Sequence, residues 1–332
     1  MNKPVALLPV PLPRLALDGL AESFDVVRLW EATDLEAAIA RVAPHARFIA
    51  TAVPILADGV SRPIDATFMS RFPGLELIAN LGVGYDNIDV AAAAARGVVV
   101  TNTPDVLTDE TADTAIGLLL CAVRQLPQAD RYLRAGKWLE RPFPLTASLR
   151  GRTLGIIGLG RIGKAIARRA EGFGLNIAYH GRRKQDDVAY RHYADLAEMA
   201  RACDILMIAT PGGPETRHLV DARILDALGQ EGFVINIARG GVVDETALIE
   251  ALREGRILGA GLDVFADEPS VPAALIGMDN VVLLPHVGSA TGPTRDAMSR
   301  LLIANLTSFA AGAGPLTPVA ETPWPPARIQ AL

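Results

Sequence analysis

Three polar positions each follow an apolar run in the second half of the chain. Arg239 comes just after Phe233–Ile237, Asp263 and Glu268 end or follow Leu258–Asp263, and His286 follows Val281–Leu284 and Pro285. An arginine, a carboxylate and a histidine are the groups that carbonyl reduction needs. A guanidinium fork binds the substrate carboxylate and polarises the carbonyl. A histidine gives a proton to the developing alkoxide, and a carboxylate keeps that histidine oriented and protonated. The hydride itself belongs to a nicotinamide.

A site for that nicotinamide cofactor is written upstream. Gly158-Leu159-Gly160-Arg161-Ile162-Gly163 is a G-x-G-x-x-G directly after the apolar run Leu154–Ile157 and at the start of the helical pattern Ile162–Phe173. In that context the first glycine permits a tight turn, the second admits a pyrophosphate, and the third lets helix and strand pack closely. The helix N-terminus then offers amides and partial positive charge to the phosphates. An NAD site usually ends its second strand on a carboxylate for the ribose hydroxyls. Here Leu175–Tyr179 runs into His180-Gly181-Arg182-Arg183-Lys184, with no carboxylate before Asp186. Guanidinium and ammonium groups there suit a 2′-phosphate, so the cofactor expected is NADP(H).

The elements that must position these residues can be read from the apolar runs. Val5–Leu8, Val26–Leu29, Phe48–Ala50, Leu75–Ala79 and Val98–Thr101 read as strands, with helices at Leu35–Val42, Ala66–Phe72 and Ile88–Ala95. A long helical stretch, Asp109–Gly136, has acidic residues in its first turn and a break expected near Pro127. Leu154–Ile157, Leu175–Tyr179, Ile205–Ala209, Phe233–Ile237, Leu258–Asp263 and Val281–Leu284 make six more strands, with helices at Ile162–Phe173, Leu196–Ala202 and Glu245–Glu254. Strands alternating with helices imply an α/β fold of doubly wound parallel sheets. A last helix, Ala290–Ala311, precedes a Pro-rich stretch (Pro315, Pro318, Pro323, Pro325, Pro326) read as a loosely attached terminus.

Composition narrows the remaining classes. The 332 residues are 50% hydrophobic and 21% charged, with formal net charge −5. This length suggests two domains, and the balance excludes disorder and collagen. An acidic chain lacks the cationic field that attracts nucleic acid or membrane surfaces. Apolar stretches such as Ala115–Val123 fall short of the ~20 residues of a spanning helix. Two cysteines, Cys121 and Cys203, suit a reducing compartment, so a cytoplasmic location is expected. No His, Cys or carboxylate cluster has metal-ligand spacing, and no metal is expected.

Together, Gly158–Gly163, Asn236–Glu245 (NIARGGVVDE), Asp263–Pro269 and Pro285–Thr291 (PHVGSAT) resemble the D-isomer-specific 2-hydroxyacid dehydrogenase family, over roughly Val5 to Pro318. Within it, Thr103–Ala112 and the basic His180–Lys184 resemble the NADPH-dependent glyoxylate/hydroxypyruvate reductase branch. Formate dehydrogenases carry Gln where Glu268 stands. The resemblance implies that Arg239 binds and polarises substrate, Glu268 partners the histidine, and His286 is the general acid/base. It implies cofactor contacts at Thr108, Gly158–Gly163, His180–Lys184, Thr210, Pro211, Ile237, Ala238, Asp263 and Gly288. It assigns Leu81, Val83 and Gly84 to the substrate, with the Val83 and Gly84 amides on its carboxylate. From the residues alone, glycines in Asn80–Asp86 admit an anion or simply form a turn.

The resemblance also implies two Rossmann-like domains. A discontinuous, flavodoxin-like substrate-binding domain (1–101 and 288–332) would be interrupted by an NADP-binding domain (102–287), with hinges near Thr101–Asn102 and Val287–Gly288. A homodimer through the Asp109–Leu149 arm is implied, with Trp138 and Arg141 near the partner's site. The expected activity is NADPH-dependent reduction of glyoxylate, hydroxypyruvate or a similar small 2-keto acid to the D-2-hydroxy acid. Leu81, Tyr85 and Phe143 would line a pocket for either a small or a bulkier side chain. A dinucleotide-sensing protein of the same fold is the rival outside enzymology.

Overall fold

A computed structural model describes residues 3–53 and 63–325. The chain divides into two compact units, Met1–Leu107 with Thr291–Leu332, and Thr108–Ala290.

The first unit contains β1 (Val5–Leu8), α1 (Arg14–Ser23), β2 (Asp25–Arg28), α2 (Leu35–Val42), β3 (Ala46–Ala52), α3 (Ala66–Ser70), β4 (Leu77–Leu81), α4 (Val90–Ala95) and β5 (Val99–Thr101). All five strands are parallel, in the order β2-β1-β3-β4-β5. That is the flavodoxin-like winding. One face of the sheet buries Leu7, Ile49, Ile78 and Val100 against Ile39, Met69 and Ala93 of α2, α3 and α4. On the other, Phe24 and the last helix's Phe309 meet the Phe48 ring edge-on, at 5.4 and 6.1 Å between centroids. Aspartates Asp34, Asp65 and Asp89 cap α2, α3 and α4 through their side chains, closing the first turns with local chemistry.

The second unit contains α5 (Thr108–Arg124), α6 (Leu126–Arg134), β6 (Thr153–Ile157), α7 (Arg161–Glu171), β7 (Asn176–His180), β8 (Arg191–Tyr193), α8 (Leu196–Ala202), β9 (Ile205–Ile208), α9 (Ala222–Leu228), β10 (Phe233–Asn236), α10 (Glu245–Arg253), β11 (Gly259–Leu262), α11 (Ala273–Ile276) and β12 (Val281–Leu283). Its seven strands are parallel, in the order β12-β11-β10-β9-β6-β7-β8. This is Rossmann winding with a seventh strand, and the strand order reverses between β6 and β9. Alternate residues serve opposite faces. Leu206, Ile208, Val234 and Ala260 face one core with α8, α9 and α10, while Ile205, Met207 and Ile235 face the other with α5 and α7. Burial on both faces explains why these strands read as unbroken apolar runs.

The long helical stretch breaks at Gln125, whose φ of 49° is left-handed, and Pro127 sits in the first turn of α6. Three short helices and one strand have no counterpart in the sequence reading: α1, α9, α11 and β8. α1 begins just after Pro13, the last of the closely spaced prolines that suggest a loop. β8 is a polar edge strand, so it carries no apolar signal.

The Pro-rich stretch corrects its expectation. After α12 (Gly292–Ala310) it is docked on the first unit rather than loose. Val319 donates its amide to the Val100 carbonyl (2.9 Å), Thr322 accepts the Val100 amide (2.8 Å), and Thr317 donates to the Asn102 carbonyl (2.6 Å). Buried Asn305 accepts the amides of Leu316 and Thr317, and Trp324 meets Phe309 edge-on with centroids 4.9 Å apart. The helix stops at Gly312, whose φ of 81° is left-handed, and the prolines beyond it do not free the chain, because neighbouring residues still pair. Pro326 lies outside the described residues.

Candidate active site

The strand ends of the second unit carry most of the candidate residues. Gly158 closes the β6 turn with φ 94°, and a side chain there would meet the Thr210 backbone at 2.8 Å. A Cβ on Gly163 would lie 2.3 Å from the Gly158 carbonyl oxygen. Both glycines are therefore demanded by packing. Gly160 differs: nothing lies within 4 Å of its missing Cβ. The space it leaves open lies at the start of α7, whose first turn no side chain caps. An open cradle and uncapped amides are what a dinucleotide pyrophosphate requires. Leu159 is buried in this turn, and Arg161 and Ile162 form the first turn of the helix.

At the end of β7, a ring nitrogen of His180 lies 3.0 Å from the Tyr193 carbonyl oxygen. Gly181 then turns the chain into Arg182, Arg183 and Lys184, which are exposed and have no acidic partner among the described residues. Asp187, further on, is tied to Lys164. The basic loop thus fits a phosphate better than ribose hydroxyls alone. Thr210 and Pro211 follow β9 beside the glycine turn, and Ile237 and Ala238 are buried after β10. Thr108 opens α5.

The Arg239 turn is built by Asn236, a buried residue that the sequence reading left without a role. Its side-chain amide donates to the Arg239 carbonyl (2.9 Å), and its oxygen accepts the Ala238 amide (3.0 Å). A Cβ on Gly240 would fall 1.8 Å from the Phe265 carbonyl carbon, so the turn presses directly on the Phe265 segment. That segment leads to Glu268, whose Oε1 accepts the Phe265 amide (3.0 Å) and whose Oε2 lies 2.7 Å from His286 Nδ1. Burial pushes the Glu268 carboxyl up most strongly. The His286 hydrogen bond and charge, the Phe265 amide and the Arg239 charge together outweigh it and hold the group below its usual range.

His286 has left-handed backbone, φ 54°. A non-glycine residue there is strained unless its surroundings impose it. Asp263, 1% exposed, supplies the constraint. Its carbonyl accepts the His286 amide (2.9 Å), Oδ1 accepts the Val287 amide (2.7 Å), and Oδ2 accepts the Gly288 amide (2.8 Å). Burial is the largest effect on the Asp263 carboxyl and raises it, against the two amides and the His286 charge. The structure therefore joins Glu268, His286 and Asp263 through hydrogen bonds, brings the Arg239 charge to bear on Glu268, and sets Gly288 against Asp263.

In the first unit, Leu81 ends β4 and the following loop turns at Gly82, φ 154°. Asn80 donates to the Gly84 carbonyl and Asn102 to the Val83 carbonyl, each at 2.9 Å. With the carbonyls occupied, no acceptor among the described residues meets the Val83 or Gly84 amide. Asn80 bonds within its own loop, four residues on, whereas Asn102 was not readable as a site residue because its partner lies 19 residues back. Tyr85 donates its hydroxyl to Glu321, and Phe143 of the second unit packs on Tyr132. No group of three potential metal ligands occurs among the described residues, and no described helix is long and apolar enough to cross a membrane.

Comparison with known proteins agrees with this geometry. Residues 116–288 match the model of the D-isomer specific 2-hydroxyacid dehydrogenase, NAD binding domain. The glyoxylate/hydroxypyruvate reductase A of Arabidopsis thaliana is 45% identical over 313 residues, covering 94% of this chain and 98% of the relative. The hydroxyphenylpyruvate reductase of Plectranthus scutellarioides is 49% identical over 255 residues, covering 77% and 82%. Among solved structures, the NADPH-dependent glyoxylate/hydroxypyruvate reductase of Sinorhizobium meliloti, in complex with NADP and malonate, is 49% identical with TM-score 0.90 over 97% of this chain and 98% of that one. Family motif, length and winding coincide throughout, and the chain belongs to the D-isomer specific 2-hydroxyacid dehydrogenase family.

Proposed function

We propose that the protein reduces a small 2-keto acid, glyoxylate or hydroxypyruvate, to the D-2-hydroxy acid with NADPH. The observation that carries this reading is the Glu268–His286 couple beside Arg239 at the ends of β10, β11 and β12. Glu268 holds Nδ1 of His286, leaving Nε2 to deliver a proton to the carbonyl oxygen. Arg239 binds the substrate carboxylate and polarises the carbonyl. Bound NADPH supplies the hydride to the carbonyl carbon. Arg182, Arg183 and Lys184 hold its 2′-phosphate, and Gly158–Gly163 with Thr108, Thr210, Pro211, Ile237, Ala238, Asp263 and Gly288 hold the rest. Leu81 and the Val83 and Gly84 amides receive the substrate. Residues 102–287 then form the NADP-binding domain, and 1–101 with 288–332 the substrate-binding domain.

The same reading extends to assembly and location. α6 buries none of its residues, and Leu126, Leu133, Trp138, Leu139 and Leu145 are exposed on the same arm. An apolar surface of this kind supports a homodimer formed through the arm. Cys121 and Cys203 are both free, which supports a reducing, cytoplasmic location.

One observation favours a second substrate reading. The 49% identical hydroxyphenylpyruvate reductase points to a bulkier, aromatic 2-keto acid. A panel of glyoxylate, hydroxypyruvate and hydroxyphenylpyruvate, run with NADPH and NADH on wild type and His286→Ala, separates the readings. Fast NADPH-dependent turnover of the small acids, lost in the variant, supports the first. Preference for the aromatic acid supports the second, and equal slow consumption by both proteins overturns both.

A further inference from the structure

After Lys184 the basic loop turns back toward the sheet, and its return is fastened at several points. The Gln185 backbone amide donates to the Tyr179 hydroxyl (2.7 Å), and its side-chain amide donates to the Leu159 carbonyl (2.8 Å) inside the glycine turn. Asp187 pairs with Lys164 of α7 at 2.5 Å. On the entry side, a ring nitrogen of His192 lies 3.1 Å from the Gly181 carbonyl oxygen, and that ring packs on Tyr179 with centroids 5.0 Å apart. Tyr179 is fully buried, so its hydroxyl is a fixed point of the core.

Between these fastenings lie the three exposed cations. Adjacent like charges repel, and an untethered segment carrying them would spread and have to be ordered each time it met a phosphate. Guanidinium recognition of phosphate is steeply geometric, so that ordering matters. The Gln185–Leu159 bond also sets the distance between the turn that meets the pyrophosphate and the loop that meets the 2′-position. Only a cofactor with a 2′-phosphate sets an anion against the three cations.

We propose that Tyr179 and Gln185 are specificity-determining positioning residues, a latch that holds Arg182, Arg183 and Lys184 in register for the 2′-phosphate of NADP. The latch rests on the NADP reading above. It makes discrimination against NAD depend on two residues that carry no charge.

The test compares wild type, Gln185→Leu (similar volume, no donor) and Tyr179→Phe. KM and kcat are measured with NADPH and with NADH on glyoxylate, together with binding of 2′,5′-ADP and of 5′-AMP. Each variant is expected to raise KM for NADPH and Kd for 2′,5′-ADP about tenfold, the effect of losing roughly one well-made hydrogen bond. KM for NADH, Kd for 5′-AMP and kcat should change less than about twofold, which also reports an intact fold. Equal losses with both cofactors, or no change with either, overturn the latch. A wild type that fails to prefer NADPH overturns the cofactor reading itself, and the latch with it.

Discussion

Oε2 of Glu268 lies 2.7 Å from Nδ1 of His286, while Oε1 of the same carboxylate accepts the Phe265 amide. One side chain thus fixes the histidine to the backbone that Gly240 allows to press against the Arg239 turn. Glu268→Gln keeps the shape and removes the charge. It is expected to lower kcat on the order of 10²-fold, with KM for NADPH nearly unchanged. Steady-state kinetics on the preferred 2-keto acid check this, and an unaltered kcat would remove Glu268 from the proposed proton transfer.

The carboxyls of Glu268 and Asp263 are displaced in opposite directions, so they should leave opposite signatures in stability against pH. Glu268 is lowered. Its contribution is complete above the unfolded value of about 4.3 and lost as pH falls through the lower folded value. Asp263 is raised. Between an unfolded value of about 3.9 and its folded value, the native state holds the extra proton, so stability falls as pH rises through that window. Denaturant unfolding of wild type, Glu268→Gln and Asp263→Asn across acid pH should give difference curves of opposite slope. Parallel curves would contradict the directions assigned.

Asp263→Asn also breaks the clamp beneath His286. An amide offers one acceptor where the carboxylate serves two backbone N–H groups, leaving the Val287 or Gly288 amide facing an NH₂. The expected cost is about 1–3 kcal/mol of stability at neutral pH. kcat should fall as well, because His286 loses what holds its left-handed backbone. Thermal unfolding together with kcat is the measurement.

The glycines of the turn should separate into two kinds. Gly163→Ala drives a methyl into the Gly158 carbonyl and should destabilise by about 1–3 kcal/mol or more. Gly160→Ala meets open space, so Tm should hold while KM for NADPH rises at least about tenfold. A Gly160→Ala protein with unchanged KM would mean that no phosphate approaches that backbone.

Asn305 is the anchor of the C-terminal segment. Asn305→Ala strips the acceptor from the Leu316 and Thr317 amides and should cost about 1–3 kcal/mol, read by denaturant unfolding. An Asn305→Asp protein retains the acceptor and should recover much of that loss above the carboxylate range.

Much of the molecule was legible from sequence because its signals are local. Apolar strand runs and the glycine turn lie within a few residues of their effects, and the family motifs brought Arg239, Glu268 and His286 forward by name. The Pro-rich segment misled for the same reason: proline reports on its own backbone, whereas its neighbours pair with Val100 and Asn102, far away in the chain. Asn102 and Gln185 were silent too, since an uncharged amide takes its meaning from whichever backbone group stands opposite, here 19 and 26 residues away. Residue type and spacing determined which chemistry the chain can perform. The tertiary structure alone decided which groups hold the reacting residues still, because a hydrogen bond acts only across the few ångströms that folding brings together.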